Sequence, residues 1–265
     1  MKEKILNFLP TECPWRGTLY WYDSIGSTNT YLKELARSGA AAGTVVIAGS
    51  QSAGRGRLGR SFHSPEGLGI YLSVLLRPQC KPQQLMHLTC ATAVAMCDAA
   101  EKTTGVRPAV KWINDLVLNR RKLGGILTEL SVDPKTGLVD YAIVGIGINC
   151  RHQSPDFPPE LETIATSFTL EGIAVDPARL SAAMIQSLWQ MDQTLLSQKE
   201  ATMARYRRDC LTLGQDVIIC RGDTRQSGRA LDVDEEGALL VVLPDGSTQA
   251  VSSGEVSVRG LYSYI

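Results

Sequence analysis

Three separated tracts of this sequence carry residues whose types and spacing suit them to hold an anion and to work on it. The first, Gln51-Ser52-Ala53-Gly54-Arg55-Gly56-Arg57-Leu58-Gly59-Arg60, mixes glycine with arginine. Glycine lets backbone come close to a phosphate, and Arg55, Arg57 and Arg60 offer planar, multi-donor cations that match carboxylate and phosphate oxygens. The same composition also fits a solvated basic loop or an Arg/Gly nucleic-acid patch. The second comprises Lys111-Trp112-Ile113-Asn114-Asp115 and Arg121-Lys122-Leu123-Gly124-Gly125. A lysine at a strand start beside paired glycines either presents a mobile point charge to a phosphoryl or carboxyl oxygen or is simply solvated at a hairpin end. Asp115 is either a turn residue or one of the one or two carboxylates that, with phosphate oxygens, hold magnesium. In the third, Val144-Gly145-Ile146-Gly147-Ile148-Asn149, glycines interrupt an apolar strand. They mark close approach of a ligand, with Asn149 fixing a polar group, or else a bulge beside a structural asparagine.

The elements that must position these tracts follow from hydrophobic spacing. Ser27, Thr28 and Asn29 are N-cap residue types, and Leu32, Leu35 and Ala36 follow at helical spacing, which predicts a short amphipathic helix ending near Gly39. Apolar, β-branched runs at 45–48 and 70–76 predict strands, so the glycine–arginine tract is framed by packed elements, which counts against a disordered tail. Leu85, Leu88, Ala91, Val94, Ala95 and Ala99 predict a long helix over 83–103. Runs at 110–113, 123–130 and 141–148, separated by turn chemistry at Asn119-Arg120-Arg121 and Asp133-Pro134-Lys135-Thr136-Gly137, predict consecutive antiparallel strands. The start of the chain reads as irregular. A helical stretch opens at Pro177 and runs to about 211, with Leu180, Met184, Ile185 and Leu188 as its stripe. Beyond Gly214, strands at 217–219, 230–233, 238–243 and 249–251 are punctuated by Glu236-Gly237, Asp245-Gly246 and Ser253-Gly254, which predicts a small β-barrel. The fold class expected is α/β or α+β, a mixed sheet with flanking helices over 1–212 followed by a β domain over 213–265.

Composition narrows the partners. The 27 Lys+Arg balance 27 Asp+Glu, so no global field attracts nucleic acid or an anionic membrane, and any positive site is local. Seven scattered cysteines without a Cys-x-x-Cys pair fit neither a disulfide framework nor a zinc site and point to a reducing cytoplasm. Signal-peptide and membrane-span patterns are missing from the sequence.

Taken with Asp23-Ser24-Ile25-Gly26-Ser27-Thr28-Asn29, the three tracts occur in the order and with the content of the biotin protein ligases, which the chain resembles from Tyr22 to its C-terminus. The resemblance implies a catalytic domain like that of class II aminoacyl-tRNA synthetases with a C-terminal SH3-like barrel. It implies ATP and biotin as substrates with Mg2+, formation of biotinyl-5'-AMP, and transfer of biotin to a lysine of a biotin carboxyl carrier protein such as an acetyl-CoA carboxylase subunit. By resemblance Ser27, Thr28, Asn29, Gln51, Arg55, Gly56, Arg57 and Lys122 contact biotin. Gly54, Arg57, Arg60, Phe62, Lys111, Asn114, Lys122 and Asn149 contact ATP or the adenylate, Asp115 helps hold the metal, and Lys122, Arg57 and Lys111 carry catalysis. Two positions depart from the family pattern: Ile113 stands where proline is common and Phe62 where tryptophan is common, and neither removes a charge. Many bacterial relatives carry an N-terminal winged helix-turn-helix. Too few residues precede Asp23 for one, so ligase activity without operator binding is expected, as a monomer or a homodimer. Lipoate and octanoate ligases share the fold, but their Arg-Arg-x-Ser-Gly-Gly-Gly motif is missing from this sequence; a non-catalytic biotin sensor would have no need of Lys111, Asp115 and Lys122 together.

Overall fold

The computed structural model describes residues 1–252 and the strand 256–260. In chain order the elements are α1 (Lys2–Phe8), β1 (Leu19–Tyr22), α2 (Thr28–Arg37), β2 (Val45–Ala48), β3 (Gly69–Leu76), α3 (Leu88–Thr104), β4 (Ala109–Lys111), β5 (Asp115–Leu118), β6 (Arg121–Val132) and β7 (Val139–Asn149). There follow α4 (Pro159–Glu162), α5 (Pro177–Thr194), α6 (Lys199–Asp209), β8 (Asp216–Arg221), β9 (Thr224–Val233), β10 (Leu239–Val242), β11 (Thr248–Val251) and β12 (Val256–Gly260).

Strands β1 to β7 form one mixed sheet in the order β1-β2-β3-β7-β6-β5-β4, parallel at β1/β2 and antiparallel elsewhere. Alternation along its strands divides two faces. Val45 and Ile47, Ile70, Leu72 and Val74, and Ala142, Val144 and Ile146 join the large core with α1, α3 and α5. Val46, Leu75, Tyr141 and Ile143 face the other way and are covered by Leu32 and Ala36 of α2. Helix α2 is short, and the same face of β7 continues beyond it as Gly145, Gly147 and Asn149. That uncovered stretch of sheet is where a cavity forms.

A second, antiparallel sheet follows in the order β11-β10-β9-β8-β12 among the described residues. It packs against the first unit through hydrogen bonds from the Trp112 indole to the Gly237 carbonyl (3.0 Å) and from Arg207 Nε to the Val233 carbonyl (2.6 Å). The turn expected at Ser253-Gly254 lies outside the described residues.

Several expectations change. The N-terminus is not irregular: α1 docks Ile5 fully buried against the core. The long helix starts at Leu88, because Pro82–Leu85 closes a separate 3-10 turn. The stretch expected as one helix from Pro177 breaks after Thr194, where the Leu195 carbonyl accepts from His87 Nε2 (2.9 Å), and resumes as α6. The strands at 110 and 123 are not neighbours. Strand β5 lies between them, so β4 and β6 each pair with β5. The turn at Asn119 and Arg120, with φ of 46° and 62°, closes the β5–β6 hairpin.

Candidate functional site

The cavity has a volume of about 710 Å³ and opens between the N-terminus of α2, the loop 49–68, strands β4 to β7 and the segment 157–165. Its floor is bare strand. A Cβ at Gly145 would come within 2.0 Å of Asn29 Oδ1, and one at Gly147 within 2.4 Å of the Phe62 ring, so both positions exclude any side chain.

At the α2 end, Ser27 caps the helix, its hydroxyl accepting from Thr30 N–H. Gln51 Oε1 accepts from the Thr28 N–H (2.9 Å), and Gln51 Nε2 donates to Ser64 Oγ (3.0 Å). Ser73 Oγ lies 2.6 Å from Asn29 Oδ1 and 2.7 Å from Thr28 Oγ1. These groups are neutral and mostly buried, and their hydrogen-bond pattern is already assembled.

At the opposite end the groups are charged. A bulge on β6, where Leu116 pairs with Gly124 but Val117 pairs with Lys122, leaves Leu123 extra. It turns Lys122 onto the cavity face beside Gly125, whose Cβ would sit 3.4 Å from Lys122 Cε. Lys122 Nζ pairs with Asp115 Oδ1 (2.5 Å), while its backbone is bridged to Ile164 and Thr166 (2.7 and 2.8 Å). Arg57 Nη1 donates to Asn114 Oδ1 (3.0 Å), and Asn114 Nδ2 donates to the Ile126 carbonyl (3.0 Å). Burial pulls the Arg57 guanidinium below its ordinary pKa, an effect the nearby Asp115 charge opposes. Lys111 and Arg60 add positive charge to the lining, and Phe157, Leu161, Ile164 and Ala165 form an apolar wall. Asn149, below that wall, donates to the Thr166 carbonyl (2.9 Å).

The loop that carries the arginines is a folded excursion. Arg55 bridges Ser61, Phe62 N–H donates to the Gly54 carbonyl (2.9 Å), and Leu58 at the tip adopts φ 56°. Every site residue expected from sequence lines the cavity except Gly54. Gly54 belongs to the loop's closure, since a Cβ there would lie 2.4 Å from the Phe62 carbonyl. Ile113, which stands in a family proline position, is buried beside the site, and its carbonyl accepts from Tyr206 (3.2 Å). The apolar wall at 157–165, Trp112, Ser61 and His63 were not anticipated. The wall reaches the site through backbone pairing with Lys122, which leaves no local signal.

The cavity thus joins prearranged neutral hydrogen-bonding groups at the α2 end to a cluster of cations at the β5–β6 end. Residues 21–149 match the Biotin/lipoate A/B protein ligase family and residues 212–259 the Biotin protein ligase C terminal domain. The bifunctional ligase/repressor BirA of Bacillus spizizenii is 35% identical over 89% of this chain and 72% of its own length. The biotin--[acetyl-CoA-carboxylase] ligase of Paracoccus denitrificans is 32% identical over 88% of this chain and 98% of its own. The solved biotin protein ligase from Aquifex aeolicus in complex with biotin and ATP superposes with a TM-score of 0.76 at 28% identity, covering 92% of this chain and 99% of that one. The chain belongs to the biotin protein ligases.

Proposed function

We propose that this ligase condenses biotin with ATP to biotinyl-5'-AMP and then biotinylates a lysine of a biotin carboxyl carrier protein. One observation carries the assignment of roles: a single cavity joins prearranged neutral hydrogen-bonding groups, with Arg55 beside them, to a cationic end of Arg57, Arg60, Lys111 and Lys122. Ser27, Thr28, Asn29 and Gln51 suit a cyclic urea, which presents two N–H donors and one carbonyl acceptor. Arg57, Arg60, Lys111 and Lys122 suit a triphosphate, with Asn114 and Asn149 placing polar groups of the nucleotide and Phe62 shielding it.

In the first step a biotin carboxylate oxygen bonds to the α-phosphorus while the bond to the bridging oxygen of the β-phosphate breaks and pyrophosphate leaves. Lys122 and Arg57 neutralise charge on both reacting anions, and holding them together in one geometry supplies much of the acceleration. In the second step the acceptor amine bonds to the biotin carbonyl carbon, AMP leaves and the amine proton passes to solvent. Arg55, Gly56 and the rest of the arginine loop cover the mixed anhydride and exclude water. Asp115, the sole carboxylate lining the cavity among the described residues, fits a magnesium ion that arrives on the nucleotide and is held chiefly by phosphate oxygens. Such an ion would supply further charge neutralisation at the triphosphate. We assign catalysis to 1–212 and a supporting β domain to 213–265, in a cytoplasmic setting.

The test is biotin-dependent exchange of labelled pyrophosphate into ATP, run against lipoate and octanoate. Exchange with biotin alone supports the reading. Exchange only with lipoate or octanoate moves the enzyme to that chemistry, and no exchange with any acid leaves a biotin sensor.

A further inference from the structure

Glu129 lies on β6 outside the main cavity, yet it reaches three elements at once. Its carboxylate accepts from Asn29 Nδ2 on α2 (2.9 Å), pairs with Lys33 one turn along α2 (2.5 Å), and pairs with Arg55 at the root of the arginine loop (3.1 Å). The side chain is only 18% exposed. Burial alone would raise its pKa, but hydrogen bonds from Lys33 and Asn29 and the charges of Lys33 and Arg55 outweigh this and hold it below the usual carboxylate range.

An ionised carboxylate can only accept hydrogen bonds. It therefore sets, with the longer contact to the Leu127 carbonyl (3.4 Å), which way the Asn29 amide points: the nitrogen faces Glu129, which leaves Oδ1 facing the Ser73 hydroxyl and the bare backbone at Gly145. Reversing the amide would set its oxygen against the carboxylate and its nitrogen against Ser73. Asn29 is 4% exposed, so water cannot compensate for a wrong orientation.

We propose that Glu129 is a positioning residue for biotin: it fixes the Asn29 amide with its oxygen toward Ser73 and the Gly145 floor of the cavity and, through the same carboxylate, fastens Arg55 and the base of the covering loop to that amide. The proposal rests on the reading that Asn29 and Arg55 contact biotin. It assigns Glu129 to affinity for the acid and not to chemistry at phosphorus, because the charged end of the cavity is held by other groups.

The experiment measures biotin-dependent pyrophosphate exchange for wild type, Glu129→Gln, Glu129→Asp, Asn29→Ala and the double variant Asn29→Ala/Glu129→Gln, with thermal melts as the folding control. Exchange by wild type together with a raised biotin KM in Asn29→Ala supports the underlying reading, and failure of either removes that reading before Glu129 is in question. Glutamine has a donor of its own and no charge, so Glu129→Gln is expected to raise the KM for biotin by about ten- to a hundredfold, the loss of a charge-assisted hydrogen bond. The KM for ATP and kcat at saturating biotin stay within about threefold, inside the scatter of an uncoupled surface change. Glu129→Asp, which keeps the charge, recovers part of the biotin affinity. On the Asn29→Ala background, Glu129→Gln adds little further loss, because the group it orients is gone. An unchanged biotin KM in a folded Glu129→Gln enzyme, losses shared equally by biotin and ATP, or full additivity with Asn29→Ala each overturns the proposal.

Discussion

At the α2 end of the cavity Thr28, Asn29, Gln51, Ser64 and Ser73 hydrogen-bond one another, with each donor and acceptor placed before any ligand enters. At the β5–β6 end Lys122 rests on Asp115, and Arg57 rests on Asn114. The first arrangement faces the cavity mainly with neutral groups, the Glu129–Arg55 pair lying against Asn29, and on the proposed roles a ligand adds to it. The second is charged, and under the proposed function an incoming triphosphate takes over cations that protein groups hold at rest. On the proposed roles, a neutral ring is recognised by shape and fixed dipoles, whereas an anion is recognised by cations that rest on protein partners until it arrives. Keeping Lys122 beside Asp115 avoids leaving a half-buried ammonium uncompensated.

The most direct way to break the contrast is to remove a cation. Lys122→Ala should lower the rate of biotin-dependent pyrophosphate exchange by about 10²–10³-fold and leave equilibrium binding of biotin, measured by calorimetry without nucleotide, within about threefold of wild type. Equal losses in both would show that the two ends are not separable. Gly145→Ala attacks the rigid end, where the new methyl meets Asn29 Oδ1 at 2.0 Å. Overpacking of about 1–3 kcal/mol should raise the biotin KM by about five- to a hundredfold, with the KM for ATP unaffected. Asn114→Ala takes one resting partner from Arg57 without removing its charge. The KM for ATP should rise by about three- to tenfold, the scale of one hydrogen bond, and biotin binding should not respond.

The smallest effect sharpens the comparison through pH. His152 is fully buried, stacks on Phe157 of the apolar wall at a centroid distance of 4.7 Å, and lies 6.2 Å from the His63 ring. Burial, then the positive charge of His63, lowers its pKa from 6.5 to about 4. The unfolded chain takes up a proton at the higher value and the folded chain does not, so stability falls as pH drops from about 6.5 toward 4. His87, also lowered by burial, acts in the same direction. Replacing His152 with leucine should narrow the gap between the Tm at pH 7 and at pH 5. An unchanged gap would remove His152 from the acid response of this wall.

Much of the contrast was legible in the residues. The Val45–Ala48 strand came out with those bounds, and the helix after Ser27 was placed correctly, because strong hydrophobic period and an N-cap residue coincide there. Strand β5 was hidden because Asp115 read as a turn or a ligand and only three apolar residues follow it. Glu129 gave no signal, since its partners Asn29 and Arg55 come from distant parts of the chain and a glutamate on a strand reads as a solvated position. The same holds for the wall at 157–165: its order depends on pairing with Lys122, not on any period of its own.

The indole of Trp112, which lines the cavity and is 4% exposed, has its hydrogen-bond acceptor in the turn of Gly237, and its backbone N–H donates to Thr212 Oγ1 (2.9 Å). Local opening of the second sheet therefore strands a buried donor next to Lys111, and the cationic end of the cavity cannot keep its native order while that sheet is open. The order of the cavity in the first unit is thermodynamically linked to the folding equilibrium of the second, so under the proposed function a destabilising change in β9 or β10, which do not line the cavity, reaches turnover as a reduced fraction of competent molecules.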